Sequence, residues 1–295
     1  MIPRFFNERF QPKGELEVVV PSSGRAGASL PVEVRLRLQE EVEPRQARIE
    51  LVERETYYER RTETDSRGHS RTRIVKKEAD FSRVSLVLEK EFRPAPGTEH
   101  YWSASIAIPS DAPSTCRGKL VDIHWMLKGV LDVPNRRDLV QEVPLQVQGQ
   151  DTAPAPWGNS GDIPKMVSKS FEECIFLLTV DQAALAQGEA LQGHFQLEAA
   201  KEFSVRGIAI QWVQVEDAGA RDNEEVVARE RLAGPVTFSL HETFSSGFVL
   251  ALPLQAPPTA HSPHSSLGWP VEAILDRPIR TDFSMGKEVY VYVSA

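Results

Sequence analysis

The chain has 295 residues and a formal net charge of −8, long enough for two domains that each bury a core and too acidic for broad nucleic-acid binding. Hydrophobic residues make up 41%, but no run of 18 apolar residues occurs, so no membrane-spanning helix is expected. The opening stretch MIPRFFNERF mixes charges among its apolar residues and lacks the uninterrupted core of a secretory signal.

Strands dominate from the start. In LPVEVRLRL, Leu30, Val32, Val34, Leu36 and Leu38 occupy every second position, with Glu33, Arg35 and Arg37 between them. A period of two puts one set on a buried face and the other in solvent. The stretch Arg54–Lys77 follows, with eight positive and four negative side chains. Asp65, Ser66, Arg67 and Gly68 supply turn chemistry between Thr-rich arms, which predicts a long projecting hairpin. Its candidate partner-binding residues are Arg60, Arg61, Arg67, Arg71, Arg73, Lys76 and Lys77. Arginine outnumbers lysine, which suits bidentate contact with carboxylate or phosphate. The alternative is a solvated hairpin whose charges pair across its strands. Tyr57 and Tyr58 cap such a contact or pack at the hairpin base.

Alternation resumes at Val84–Leu88 and at Trp102, Ala104, Ile106 and Ile108. Then comes a pattern that occurs twice. Leu-Asp-x-Pro-x-Arg-x-Asp contains Asp132, Pro134, Arg136 and Asp138, and again, 144 positions later, Asp276, Pro278, Arg280 and Asp282. At the same offset Pro109, Ala112, Pro113, Thr115 and Trp125 also recur, giving ten identities in thirty positions where about two are expected by chance. Such a repeat predicts two copies of one β-module. Each proline belongs at a strand end or edge, so the block reads as a turn pinned by carboxylate and guanidinium. The sharper reading is a buried ionic network acting as a switch.

The segment 149–170, rich in Gly, Pro, Ser and Ala, shows no alternation and reads as a linker. The expected division is a domain over 1–150, a linker over 151–167 and a second domain over 168–295. DQAALAQGEAL comes nearest to helical spacing, but it is short and Gly188 interrupts it. Ile208, Ile210 and Trp212, then Val289, Val291 and Val293, alternate again. The predicted class is all-β, with antiparallel sheets packed face to face.

SIAIPSDAPST (105–115) followed by VDIHWMLKGVLDVPNRRD (121–138) resembles the arrestin N-domain pattern. LAQGEALQGHFQL (185–197) resembles the Gly-Glu-x-φ-x-Gly strand opening of arrestin-related domains, and Gly27 to Val34 is a reduced version without the Glu and the second Gly. The likeness covers both halves and is nearest to the broader arrestin-related group, bacterial members included. It implies two tandem immunoglobulin-like, arrestin-like β-sandwich domains. No Pro-Pro-x-Tyr occurs, so ubiquitin-ligase recruitment is not implied, and no acidic clathrin-type tail follows the last strand. The family's phosphate-sensing lysine pair has no match near the N-terminus, so phosphoreceptor binding is not carried over.

Catalytic chemistry is not in view. No Gly-x-Ser-x-Gly elbow, phosphate-cradling Gly-rich loop or His-Glu-x-x-His occurs, and no cofactor or metal is expected. His261 and His264 are the only close histidine pair and read as part of a surface loop. Cys116 and Cys174 form neither a disulfide framework nor a zinc site, which suits a reducing, cytoplasmic setting. The glutamates read as outward-facing solvation. The expected function is a non-enzymatic adaptor or scaffold that binds acidic or phosphorylated protein partners through sheet edges, an interdomain groove and the hairpin. The alternative is peripheral docking on an anionic membrane surface through the same hairpin. An exported, ligand-binding or hydrolytic sandwich is disfavoured by the absent signal.

Overall fold

The computed structural model describes residues 11–64, 68–150, 165–278 and 280–293, and every regular element among them is a strand. The chain forms two compact units. One comprises Met1–Glu55, Glu78–Thr115 and Ile123–Gly149; the other comprises Thr56–Lys77, Cys116–Asp122 and Gln150–Ala295. Two stretches that precede residue 150, Thr56–Lys77 and Cys116–Asp122, thus belong to the second unit. Most of the predicted linker, residues 151–164, lies outside the described residues, while Met166–Ser170 is already a strand.

In the first unit a three-stranded antiparallel sheet runs in the order Gly14–Val19, Ser29–Leu38, Glu99–Ala107. The alternation read at residues 30–38 is realised there: Leu30, Val32, Val34, Leu36 and Leu38 are all buried. A second sheet carries Ser23–Arg25, Leu139–Gln148, Asp122–Asp132, Gln46–Thr64 and Ser70–Lys90 in that order. Ile49, Leu51, Trp125 and Leu127 meet the first sheet's apolar face in a single core. Two one-sided sheets closed over such a core make a sandwich.

The second unit repeats the plan. Its four-stranded sheet runs Met166–Ser170, Cys174–Val180, Ala190–Ala199, Thr243–Ala251. In the opposite sheet Gly207–Asp217 lies between Asp222–Ala233 on one side and Ser266–Gly268 and Pro270–Asp276 on the other. Phe176, Phe195, Trp212, Phe238 and Trp269 are buried in this core, with Trp212 and Trp269 edge to face at 6.2 Å. DQAALAQGEAL forms no helix. Ala184–Ala186 pairs in parallel with Tyr290–Tyr292, as Ser23–Arg25 pairs with Leu139–Gln148. Gly27 and Gly188 turn the chain after each short strand at φ 82° and 81°, where a side chain would be strained.

The repeated residues now have physical reasons. The indole N–H of Trp125 donates to the Pro113 carbonyl at 2.9 Å, and that of Trp269 donates to Pro257 at 2.9 Å. The Thr115 N–H donates to the Val147 carbonyl (2.8 Å) while its hydroxyl accepts the Val147 N–H (2.9 Å); Thr259 and Val291 make the same pair of bonds at 2.8 and 2.9 Å. Each threonine thereby stands in for a strand partner where the ladder ends. We expect Trp125→Ala and Trp269→Ala to destabilise the protein by about 3–5 kcal/mol each, measured by denaturant titration, because each leaves a large cavity and an unbonded proline carbonyl.

Candidate functional site

The hairpin base is built into the second unit by backbone contacts. The Tyr58 N–H donates to the Ala218 carbonyl and the Ala220 N–H donates to the Tyr58 carbonyl, both at 2.8 Å, around a parallel bridge between Tyr58 and Gly219. Gly219 sits at φ +76°, and a β-carbon there would come within 2.7 Å of the Tyr58 carbonyl oxygen. Only glycine meets both conditions. The Asp217 carboxylate accepts the Gly219 N–H at 2.9 Å and steadies the turn. The two tyrosines pack at the base: the Arg221 guanidinium lies 4.6 Å from the Tyr58 ring centre, and His264 stacks on Tyr57 at 4.4 Å and 17°. Such contacts each contribute about 0.5–1 kcal/mol at exposed sites.

Beside this base lies a cleft of about 650 Å³, lined by Tyr57, Tyr58, Arg60, Asp217, His261 and His264 together with loop serines. Sequence adjacency of His261 and His264 thus marked one wall of a real concavity. Among the described residues no cluster of His, Cys, Asp and Glu is arranged to hold a metal ion. The cleft offers ring faces, hydroxyls, the Arg60 guanidinium and the carboxylates of Glu59 and Asp217.

Beyond the base the arms are exposed. Thr62 and Thr72 share a hydroxyl bond at 2.9 Å, as do Thr64 and Ser70, which fixes the arms opposite one another. Arg73 pairs with Glu63 at 2.6 Å, and Arg61 approaches the same carboxylate at 3.8 Å. Arg60, Arg71, Lys76 and Lys77 have no carboxylate in ion-pairing range among the described residues. Arg67 lies outside the described residues. Cross-strand pairing therefore neutralises only part of the hairpin's positive charge.

The two copies of the proline motif each form a turn at the end of their own unit. In the first, Asn135 has φ 60°, the Arg45 N–H donates to the Asp132 carbonyl at 2.8 Å, and Arg136 pairs with Glu40 at 2.7 Å. Pro134 sits within this turn, and Gln11 reaches the Asp138 carbonyl at 3.5 Å. In the second, Arg206 donates to Asp276 at 2.7 Å, and the Arg277 N–H donates to Asp282 at 3.0 Å across Pro278. Arg280 reaches Glu173 at 3.1 Å, and Arg277 reaches it at 3.4 Å while lying over the Phe283 ring. Of these carboxylates Glu173 alone is buried; most of the remaining charges lie partly in solvent, where an ion pair contributes about 0–1 kcal/mol.

Reading the glutamates as outward-facing fails at Glu53, Glu55 and Glu216, which have 0% exposure. A signal was present in the sequence: each continues the buried parity of its strand, after Ile49 and Leu51 in one case and after Ile210 and Trp212 in the other. Glu53 pairs with Arg83 at 2.6 Å. The Glu216 carboxylate accepts three consecutive backbone N–H groups, from Lys119 (3.0 Å), Leu120 (2.7 Å) and Val121 (3.0 Å), and the Gln214 amide at 2.8 Å. Gly118 admits it, since a β-carbon there would meet the carboxylate oxygen at 2.3 Å. Both cysteines are buried, and burial pushes the Cys174 thiol up to about 12, which makes it a poor nucleophile.

Residues 13–151 match the family described as Arrestin (or S-antigen), C-terminal domain. This stretch of the chain is arrestin-like. The motifs of the first half resemble the arrestin N-domain pattern, whereas the family that matches it is that of the C-terminal domain. No curated protein matches the chain significantly. At this level the arrestin-like family suggests a non-enzymatic adaptor or scaffold role in general terms.

Two outcomes test this arrangement. Burial pushes the Glu216 carboxyl up, but its four hydrogen bonds together outweigh that, so its pKa falls below the ordinary value. A depressed folded-state pKa stabilises the protein above the unfolded value of about 4.3. That stabilisation is lost as pH drops through the lower, folded-state value. Glu216→Gln should lower stability near neutrality by about 1–3 kcal/mol and flatten the acid limb of an unfolding-versus-pH profile. Gly219→Val should release the hairpin base and speed tryptic cleavage within residues 56–77, while leaving the thermal transition of the sandwiches nearly unmoved.

Proposed function

We propose that this arrestin-like protein is a cytoplasmic, non-enzymatic adaptor that captures acidic or phosphorylated segments of protein partners through the Arg60–Lys77 hairpin and the cleft at its base. The observation that carries this reading is the hairpin's uncompensated charge. Arg60, Arg71, Lys76 and Lys77 project without carboxylate partners among the described residues, from arms whose base is held by backbone bonds and stacked rings. Cations held on a fixed support raise the encounter rate with an acidic partner and align it for docking. Two buried cysteines in different parts of the chain fit a reducing compartment. A second reading, docking on an anionic lipid surface, draws on the same cations and on Ile74, which is 44% exposed between them.

Replacing Arg60, Arg71, Lys76 and Lys77 together by Glu should reduce capture of crosslinked protein partners from an extract of the protein's own cells by about tenfold or more. The thermal transition should stay unchanged, and wild-type capture should weaken with added salt. Recovery of the same proteins in the same amounts by the variant would remove the hairpin from the account. Flotation with phosphatidylserine vesicles separates the two readings: salt-sensitive enrichment of the wild type there, without captured protein partners, assigns the hairpin to lipid.

A further inference from the structure

The two sandwiches share one plan, yet they differ in one face. The first unit's sheet of Gly14–Val19, Ser29–Leu38 and Glu99–Ala107 turns thirteen alternate positions outward. Six of those are charged: Glu15, Glu17, Glu33, Arg35, Arg37 and Glu99. Arg35 pairs there with Glu17 and Glu33 at 3.5 and 3.3 Å, an ordinary solvated surface. The matching sheet of the second unit turns sixteen positions outward, and only His194 and Glu198 among them are titratable. Small neutral side chains occupy most of the rest, with Ile175 and Val249 substantially exposed. Loss of charge at the centre of a patch is one compositional mark of an interface.

The first unit serves as an internal control. Strand plan, chain and overall composition are held constant, so the fold itself does not call for a neutral face. A recess of about 460 Å³ opens on this face and includes Ile175, Leu177, Gln196 and Ser245.

Register indicates what fits. Ser168, Leu177, Gln196 and Ser245 lie in one row across the four strands. The next row on one side holds Glu198 and the next on the other holds His194. A two-fold axis lying along the Ser168–Ser245 row, between two stacked copies of the sheet, places Leu177 over Leu177 and Gln196 over Gln196. It also sets each copy's Glu198 opposite the other's His194, so an imidazole faces each carboxylate and no like charges meet. That self-complementarity is what an isologous dimer requires.

We propose that the outer face of Met166–Ser170, Cys174–Val180, Ala190–Ala199 and Thr243–Ala251 binds the same face of a second copy, forming a two-fold dimer centred on Leu177 and Gln196. The strands cover about 500 Å² per copy at ordinary strand spacing and rise. The pair therefore buries about 1,000 Å², the lower limit for a specific interface. Self-association is accordingly expected to be reversible and visible in the micromolar range. It is independent of the hairpin, so its failure leaves the adaptor reading intact, and the converse also holds.

Sedimentation velocity on the intact chain, at concentrations up to about 100 µM, tests it. The wild type should move from the 33.0 kDa chain mass towards twice that mass. Leu177→Arg, which sets two guanidinium groups face to face, should hold it at the single mass. Gln196→Arg guards against a folding defect, since its side chain is exposed, and should do the same with an unchanged thermal transition. Ser103→Arg, on the matching face of the first unit, should have no effect. His194→Glu should weaken the dimer by about tenfold, and His194→Glu with Glu198→His should restore it. A single chain mass throughout the range, dimers unaffected by both arginine variants, or a His194→Glu effect that the double exchange fails to reverse would each overturn the proposal.

Discussion

An unbonded indole N–H in a sandwich core is costly; Trp212 has no partner for its own among the described residues, whereas Trp125 and Trp269 each find one. In both units that partner is the carbonyl of a proline twelve residues upstream. The proline cannot extend a ladder through its own nitrogen, so its carbonyl is available where the chain leaves one strand and heads for the next. This single bond ties the crossover to the centre of the core. The threonine two residues beyond each of those prolines extends the tie by bonding the last strand of its unit from both its backbone and its hydroxyl. Turn, core and closing strand are thereby one connected structure in each unit, and the recurring residues are the ones that make these bonds.

The buried carboxylates show a second constraint. A strand's period of two assigns each residue a face regardless of its chemistry. Once Ile49 and Leu51, or Ile210 and Trp212, point inward, the glutamates that follow on the same parity point inward too. They persist because each finds hydrogen-bond donors. For Glu53 the Arg83 guanidinium is one such donor. For Glu216 no cation lies in ion-pairing range among the described residues: three successive amides and one side-chain amide take its charge, and Gly118 leaves the room it needs. Backbone donors held by a rigid loop require no further side chain to be ordered, which makes this a stable way to keep one charge out of water.

Much of this architecture was legible. Alternation at residues 30–38 showed which side chains would be buried, and the 144-position repeat showed that two modules share a plan. The hairpin's projecting arms followed from charges on both faces with little to bury. Other features left no local trace. Nothing around Tyr58 announces that its backbone will bridge Gly219, because that contact joins positions far apart in the chain through atoms every residue possesses. The neutrality of the second unit's outer sheet was likewise hidden, since its positions are spread over four strands that become neighbours only on folding.

The sequence by itself determined the all-strand class, the duplicated module and the core-facing apolar residues of its most regular strand, 30–38, because these depend on spacing along the chain. Only the tertiary structure decided that Thr56–Lys77 is anchored in the second unit, that Glu216 is clasped by the amides of residues 119–121, and that the second unit presents a nearly uncharged sheet. The physical reason is one of range. A strand's facing is set by the torsion of adjacent residues, whereas a hydrogen bond or a shared surface is set by which distant segments the packed sheets bring within a few ångströms of each other.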